Sequence, residues 1–205
     1  RHFKPGTVSG QLVCSLDFTA TSLALAGVKK PAAMQGHVFL GEQSGPPRQY
    51  VFGARDRCDE TMFRFRTVRD ARWRYIKNFM PERPFLQANA YKEAQYPVWN
   101  LIKELGAAGK LTDWQKNFYL APGMPPEELF DMDADPHSMK NLAGSTRPEH
   151  QAALKRLRAE LENWIEESND QGRIPEPPEV TARKGATKDV APGDQPKGKK
   201  SKAKQ

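Results

Sequence analysis

Four charged side chains between residues 53 and 60 have the types and spacing of a ligand-binding group: Arg55, Arg57, Asp59 and Glu60. Guanidinium groups bind sulfate and carboxylate through paired hydrogen bonds, and carboxylates accept hydrogen bonds from sugar hydroxyls or from an amine. Because this run opens with a glycine and is dense in charge, we expect a loop that contacts substrate. The alternative is a local cluster of salt bridges on a solvated turn, and the residues alone leave both open.

The other residue types that could do chemistry predict no reaction centre. Cys14 and Cys58 are far apart, with no Cys-x-x-Cys and no histidine at metal-ligand spacing. We therefore expect free thiols, not a zinc site or a disulfide framework, although a bridge between the two stays open for an oxidising compartment. The four histidines are scattered and lack the partners that a catalytic or metal site needs. We predict no catalytic residue and no metal ligand in this chain.

The positive charge is concentrated at the C-terminal end. Residues 180–205 hold eight Lys or Arg and two Asp or Glu, which is +6 of the chain's net charge of +7. This segment and the prolines before it have too little apolar surface to offset the entropy of ordering, so residues 173–205 are predicted to be disordered. No apolar run approaches the roughly 20 residues of a membrane span. The rest of the chain is nearly neutral, so net charge does not indicate nucleic-acid binding by the folded part.

The elements that would position the charged group form a small sheet. Residues 62–69 alternate in polarity, a turn follows at 70–72, and residues 73–79 form a returning strand, which together predict an antiparallel hairpin. Residues 50–52 and 129–132 add two short strands. The alternation places the aromatic residues of the hairpin opposite most of its arginines. We interpret these arginines as solvated or ion-paired strand residues, not as a nucleic-acid surface.

Helices are predicted before, within and after the sheet. Asp17 is expected to cap a short helix, and two further helices are predicted at about 96–108 and 111–119. The clearest helix covers residues 146–168, and a Thr-x-x-Glu capping box opens it. Its apolar residues recur at three- and four-residue steps: Leu154, Leu157, Leu161, Trp164 and Ile165. This helix should cover one face of the sheet.

Three ordered segments resemble the C-terminal region of the type I sulfatases, the formylglycine-dependent family. They are Val-Cys-Ser-Leu-Asp-Phe-Thr-Ala-Thr-Ser-Leu-Ala-Leu-Ala-Gly at 13–27 with Met-Gln-Gly at 34–36, Arg-Phe-Arg-Thr-Val-Arg at 64–69 with Trp-Arg-Tyr-Ile at 73–76, and Glu-Leu-Phe-Asp at 128–131 with Asp-Pro-His at 135–137 and Asn-Leu-Ala at 141–143. The chain departs from the family pattern at Ala20, where proline is usual, and at Ser138, where glutamate is common. The insert between the strands is most similar to that of heparan N-sulfatase-like members.

This resemblance implies an α+β fold in three parts. Residues 1–47 would be the tail end of the large, alkaline-phosphatase-like α/β sulfatase domain. Residues 48–172 would be the C-terminal subdomain, in which a small antiparallel sheet is packed by the long C-terminal helix and carries a helical insert at 83–126. Residues 173–205 would be the disordered basic tail.

The resemblance also implies that the intact parent hydrolyses a sulfate ester, or an N-sulfate, on a carbohydrate or glycosaminoglycan with formylglycine and calcium. Neither Cys14 nor Cys58 lies in the family's Cys/Ser-x-Pro/Ala-x-Arg signature, and the calcium ligands are expected before residue 1. The chain alone is therefore expected to be inactive. The family implies a periplasmic or extracellular parent. The competing hypothesis is a non-catalytic module that binds anionic glycans or nucleic acid through residues 55–60 or the basic tail.

Overall fold

The computed structural model describes residues 4–58 and 61–177, so the predicted disorder at 178–205 falls outside the described residues. The chain divides into two compact units, residues 1–174 and 175–205. The helices and strands named below all lie in the first unit. Residues 175–177, the described part of the second unit, have no regular secondary structure.

The described residues form four strands and five helices. The strands are β1 (Val51–Cys58), β2 (Thr61–Arg69), β3 (Trp73–Asn78) and β4 (Glu127–Asp131), and the helices are α1 (Ser15–Leu25), α2 (Ala90–Gln95), α3 (Pro97–Ala107), α4 (Asp113–Tyr119) and α5 (Pro148–Glu167). The structure confirms the predicted hairpin, the short fourth strand and the long C-terminal helix. The first strand is longer than predicted, and α2 was not predicted.

The four strands form one antiparallel sheet in the order β1-β2-β3-β4. In its register Val68 pairs with Phe52 on one side and with Tyr75 on the other, and Tyr75 pairs with Leu129. Directly paired residues share a face, so these four side chains point to the same side of the sheet. α5 packs on that side through its predicted apolar face, and its buried core residues are Ala153, Leu154, Leu157, Leu161 and Ile165.

The helical insert covers part of the opposite face of the sheet. Phe63 is 2% exposed, its ring lies 6.2 Å from that of Phe85, and Phe85 lies 4.5 Å from Phe118 of α4. The apolar face of α3 is partly in solvent, since Val98 and Leu101 are 56% and 46% exposed. Helical periodicity shows that a helix has an apolar face, but it does not show that another element covers that face.

The cap predicted at Thr146 is wrong, whereas Asp17 does cap α1, from the third helical position of a capping box. α5 begins at Pro148 with Arg147 as its N-cap and no side-chain cap, so Thr146 lies outside the helix. A proline is favourable at the first helical position because its missing N–H would be unpaired there in any case. In α1 the N-cap is Cys14, and Asp17 lies one turn inside the helix, where its carboxylate accepts the Cys14 amide hydrogen at 2.8 Å.

Arg66 is a buried cation that connects the sheet to the segment after α5. Its side chain is 1% exposed, and its guanidinium donates to both oxygens of Asp170 at 2.7 and 2.9 Å and to both oxygens of Asp56 at 2.7 and 3.2 Å. A fifth hydrogen bond, of 2.8 Å, reaches the carbonyl of Phe65. All five guanidinium donors are therefore used, which is what burial of this charge requires. Arg66 is ion-paired, one of the two states expected for the hairpin arginines.

Glu127, at the start of β4, accepts hydrogen bonds from two other elements. The Tyr75 hydroxyl donates to it at 2.5 Å, the Arg158 guanidinium donates at 2.9 and 2.7 Å, and the Lys77 ammonium lies 3.5 Å away. Burial disfavours the charged form of Glu127, but hydrogen bonds from Arg158 and Tyr75 outweigh it and lower the pKa from 4.5 to about 2. The ionised carboxylate therefore links α5 to the sheet.

A methyl group at position 172 should destabilise the fold. A Cβ atom on Gly172 would overlap the Arg66 guanidinium, which is held on all sides and cannot move without losing ion pairs. We expect Gly172→Ala to lower the free energy of unfolding by about 1–3 kcal/mol in urea denaturation. Gly144→Ala is the matched control, because nothing lies within 4 Å of its added Cβ. Equal midpoints for the two variants would contradict the close packing at Arg66.

The contribution of Glu127 to the free energy of unfolding should decrease at low pH. Its folded-state pKa of about 2 is below the ordinary value of 4.5, so its stabilisation is complete above about pH 4.5 and is lost as the pH falls through 2. At pH 6 we expect Glu127→Gln to lower the free energy of unfolding by about 1–3 kcal/mol.

The difference between wild type and Glu127→Gln should narrow as the pH is lowered from 4.5 towards 2, measured by urea denaturation at each pH. Glu162→Gln is the control, because Glu162 is exposed on the same helix. A difference that stays constant over this range would show that Glu127 is not ionised in the folded protein.

Candidate functional site

The residues predicted to form a charged loop at 53–58 belong to a strand. They are the last six of the eight residues of β1, which pairs with β2 as far as Cys58 and Thr61. The register shifts between Arg55 and Arg57, as it does at a β-bulge. β1 is the edge strand of the sheet, and natural edge strands carry charges that discourage pairing with another chain. The loop prediction was wrong because dense charge is typical of edge strands as well as of loops.

Of the two arginines in the predicted group, Arg55 has a guanidinium that a neighbouring ring holds in place. Arg55 is exposed, and its guanidinium carbon lies 4.3 Å from the centroid of the buried Phe63 ring. A cation above an aromatic face is attracted by the ring quadrupole, so Phe63 holds Arg55 while its charge remains accessible to solvent. Arg57 is half-buried and pairs with Met62 across the strands.

The acidic members of the predicted group are not brought to an open site by the described structure. Asp59 and Glu60 lie outside the described residues. Asp56, which lies between the two arginines, is bound by the Arg66 guanidinium. The prediction of a substrate-binding group at 55–60 therefore remains a prediction, supported in geometry by the orientation of Arg55.

A cleft of about 590 Å³ opens at the other end of β1, where the sequence predicted no site. Residues 10–12, residues 47–50, the turn at 70–73 and Arg156 of α5 line it. These segments are distant in sequence, so no local pattern could have revealed the cleft. It contains three arginines and one acidic residue: Arg48, Arg72, Arg156 and Asp70.

The arginines of this cleft are already ion-paired within the chain. Arg72 binds Asp131 at 2.7 Å and Glu149 at 2.6 Å. Arg156 binds Asp70 at 2.6 Å and donates to the Tyr50 hydroxyl at 3.1 Å. Because carboxylates occupy these guanidinium groups, the cleft is polar but is not prepared to bind an added anion.

Arg48 is held by Asp17, the most completely surrounded carboxylate of the N-terminal segment. Asp17 is 1% exposed and accepts two hydrogen bonds from Arg48 at 2.8 and 2.6 Å and one from the His37 amide at 2.7 Å, besides that of Cys14. The Arg48 guanidinium therefore holds the pKa of Asp17 well below its usual range. Asp17, predicted only as a helix cap, connects α1 to the segment before β1.

One five-residue segment satisfies the sulfatase signature pattern by residue type, although neither cysteine does. It is Ser-Gly-Pro-Pro-Arg at 44–48. Ser44 is exposed in a turn, and Arg48 is already paired with Asp17. Among residues 4–58 and 61–177, no group of three or more His, Cys, Asp or Glu side chains could hold a metal ion. The match in residue type therefore has no reaction centre around it in the described structure.

No family model matches the chain. It is, however, 38% identical over 170 residues to an ulvan-active sulfatase of Formosa agariphila. This alignment covers 83% of the chain and 28% of that protein. The chain belongs to the sulfatase family. Human N-sulphoglucosamine sulphohydrolase is 28% identical to this sulfatase chain over 177 residues, covering 80% of the chain and 34% of the human protein. A solved structure of a 2-O GAG sulfatase aligns with a TM-score of 0.49 and 24% identity, over 78% of this chain and 26% of that one.

The sulfatase chain spans about a third or less of the length of these curated relatives. The relatives confirm the resemblance read from the three sequence segments, including the similarity to heparan N-sulfatase-like members.

Removing the charge of Asp17 should strongly destabilise this sulfatase chain. Asp17→Asn leaves the half-buried Arg48 without its anion, and breaking a buried ion pair in this way costs about 3 kcal/mol. Asp133→Asn is the control, because it removes the same charge from an exposed side chain. The measurement is the free energy of unfolding in urea. A loss below about 1 kcal/mol would show that Asp17 acts only as an ordinary helix cap.

Proposed function

We propose that this chain is the C-terminal portion of a sulfatase whose complete form hydrolyses a sulfate ester, or an N-sulfate, on a carbohydrate. The observation that carries the proposal is the 38% identity over 83% of the chain to a sulfatase of which it spans only 28%. Ulvan and N-sulphoglucosamine, named in the two relatives, support a sulfated carbohydrate as the substrate class.

The reaction centre is assigned to the part of the parent outside this chain. The family implies formylglycine and calcium, and hard cations need several converging carboxylate oxygens. The described residues do not fit such a site: Asp17, Glu127 and Asp131, which are buried or partly buried, are each bound by arginine. This chain alone is therefore proposed to be inactive.

The role proposed for this chain is contact with the substrate through residues 55–60. Arg55 presents an oriented guanidinium on the exposed edge strand, and Arg57, Asp59 and Glu60 follow it in sequence. A guanidinium that is already oriented loses less entropy when it binds a sulfate group than a freely moving one.

Residues 1–47 are proposed to belong to the large sulfatase domain. Exposed apolar residues of α1 support this assignment, because Leu16, Phe18 and Leu25 are 54%, 60% and 51% exposed. Phe18 and Leu25, seven residues apart, lie on the same side of the helix and form an apolar surface that further polypeptide would cover favourably. The family further supports a periplasmic or extracellular parent. No helix among the described residues is long and apolar enough to cross a membrane.

Substitution of Arg55 should weaken binding of a sulfated oligosaccharide. We expect Arg55→Gln to raise the dissociation constant of the purified chain about tenfold at fixed salt, because hydrogen bonds to charged groups contribute about 1.5 kcal/mol or more. Arg147→Gln is the control: it removes the same charge from a side chain that is 70% exposed and lies away from β1. Equal effects of the two variants would refute a specific contact at Arg55.

Two further measurements separate this function from the competing one. The purified chain should not turn over an aryl sulfate in the presence of calcium, and turnover that a hydrazine blocks would contradict an absent reaction centre. Oligosaccharide binding should survive deletion of residues 180–205. If oligosaccharide binding is lost completely, the basic tail is the part that binds the polyanion. That outcome would favour the competing hypothesis of a non-catalytic binding module.

A further inference from the structure

Two arginines lie directly opposite each other on the sheet face that does not contact α5. Arg69 of β2 pairs in register with Arg74 of β3, and both are half-buried. Directly paired residues have Cβ atoms about 5 Å apart on the same face. Two like charges in this arrangement repel each other, so an uncompensated pair destabilises the sheet.

Within the described residues, no carboxylate forms an ion pair with Arg69 or Arg74. Six other arginines each form an ion pair with at least one carboxylate: Arg48, Arg66, Arg72, Arg147, Arg156 and Arg158. By contrast, the Nε of Arg69 is shielded from solvent and has no hydrogen-bond partner in the described structure. Arg74 donates one long hydrogen bond, of 3.4 Å, to the hydroxyl of Ser138.

Glu128 is an acidic residue on the same face, and it interacts with Arg74 without forming an ion pair with it in the described structure. It pairs with Ile76, two residues from Arg74 on β3, and forms no ion pair in the described structure. Burial raises the pKa of Glu128, and the Arg74 charge offsets that only in part. One carboxyl group cannot balance two guanidinium groups, so positive charge remains in excess on this face.

We propose that Arg69 and Arg74 together bind an oxyanion, a sulfate group of the sulfated carbohydrate substrate. Paired guanidinium groups offer several donors to one tetrahedral anion, and the anion relieves their mutual repulsion. Arg69 shares its sheet face with Arg55, which pairs with Phe65 four residues along β2, or about 13 Å away. The two arginine positions would therefore contact separate anionic groups of one polymer. The identity of the polymer rests on the function proposed above, whereas oxyanion binding does not.

Ser138 provides a precise way to test the site. It has a φ of 56°, a left-handed conformation that Asp and Asn tolerate, and its hydroxyl is next to Arg74. Ser138→Asp places an internal carboxylate where the external anion would bind. Ser138→Asn has the same shape without the charge and is the matched control.

The experiment is a titration of the full chain with sodium sulfate, followed by the arginine Nε–H resonances in ¹H–¹⁵N spectra at constant ionic strength. We expect the Arg69 Nε–H resonance to shift with a dissociation constant on the order of 1 mM. Ser138→Asp and Arg74→Gln should weaken binding at least about tenfold, and Ser138→Asn should leave it within about twofold. An Arg69 resonance that does not respond to sulfate, or equal affinities of the Asp and Asn variants, would overturn the oxyanion site.

A second titration with a sulfated oligosaccharide tests the source of the anion. The same resonance should shift, at a lower concentration than with free sulfate, and the shift should persist in Arg55→Gln. Response to sulfate or acetate but not to the oligosaccharide would overturn the assignment to substrate. The function proposed for the parent would stand in that case, because it rests on the relatives and on Arg55.

Discussion

The pairing of Arg66 with two carboxylates is the constraint on which the geometry of this subdomain depends. A guanidinium that is 1% exposed must be neutralised. Its two partners are distant in sequence: Asp56 lies on β1, and Asp170 follows α5. The first pair fixes β1 at the position where its register shifts. The second holds the end of α5 over the same part of the sheet. The orientation of the predicted binding strand is thus coupled to the last helix through one side chain.

The apolar core and the ion pairs have different roles in this arrangement. Tyr75, Leu129 and Leu157 are almost completely buried and supply the main driving force for packing α5 on the sheet. Burial of this kind is not directional, so it does not fix where a helix begins or ends along the sheet. The bonds of Arg158 to Glu127 and of Arg66 to Asp170 are directional. Arg66 on β2 and Glu127 on β4 flank the same residue of β3, Lys77, in the register of the sheet. These bonds determine the position of the helix that the core holds in place.

The sequence predicted elements whose signal is local and missed features whose partners are distant. The hairpin and α5 follow from alternation at 62–69 and from leucines at helical spacing, and the family followed from three short segments. β1 was assigned too short because charged edge residues resemble a loop, and Thr146 was assigned as a cap because its pattern fits one residue too early. Asp17 with Arg48, and Arg66 with Asp170, are separated by 31 and 104 residues. No periodicity or composition connects such positions, so neither the ion pairs nor the cleft at residues 47–50 could be predicted.

The same physical rule explains which charged residues are structural and which are available for binding. Where a guanidinium is enclosed by carboxylates, as in Arg48, Arg66 and Arg72, its donors are used and it contributes to the fold. Where it forms no ion pair in the described structure, as in Arg55 and Arg69, it is proposed to bind a ligand. Both of these lie on the sheet face away from α5. The face against α5 holds the apolar core and charges that are ion-paired, whereas the other face, which the helical insert covers only in part, carries arginines without an ion pair in the described structure.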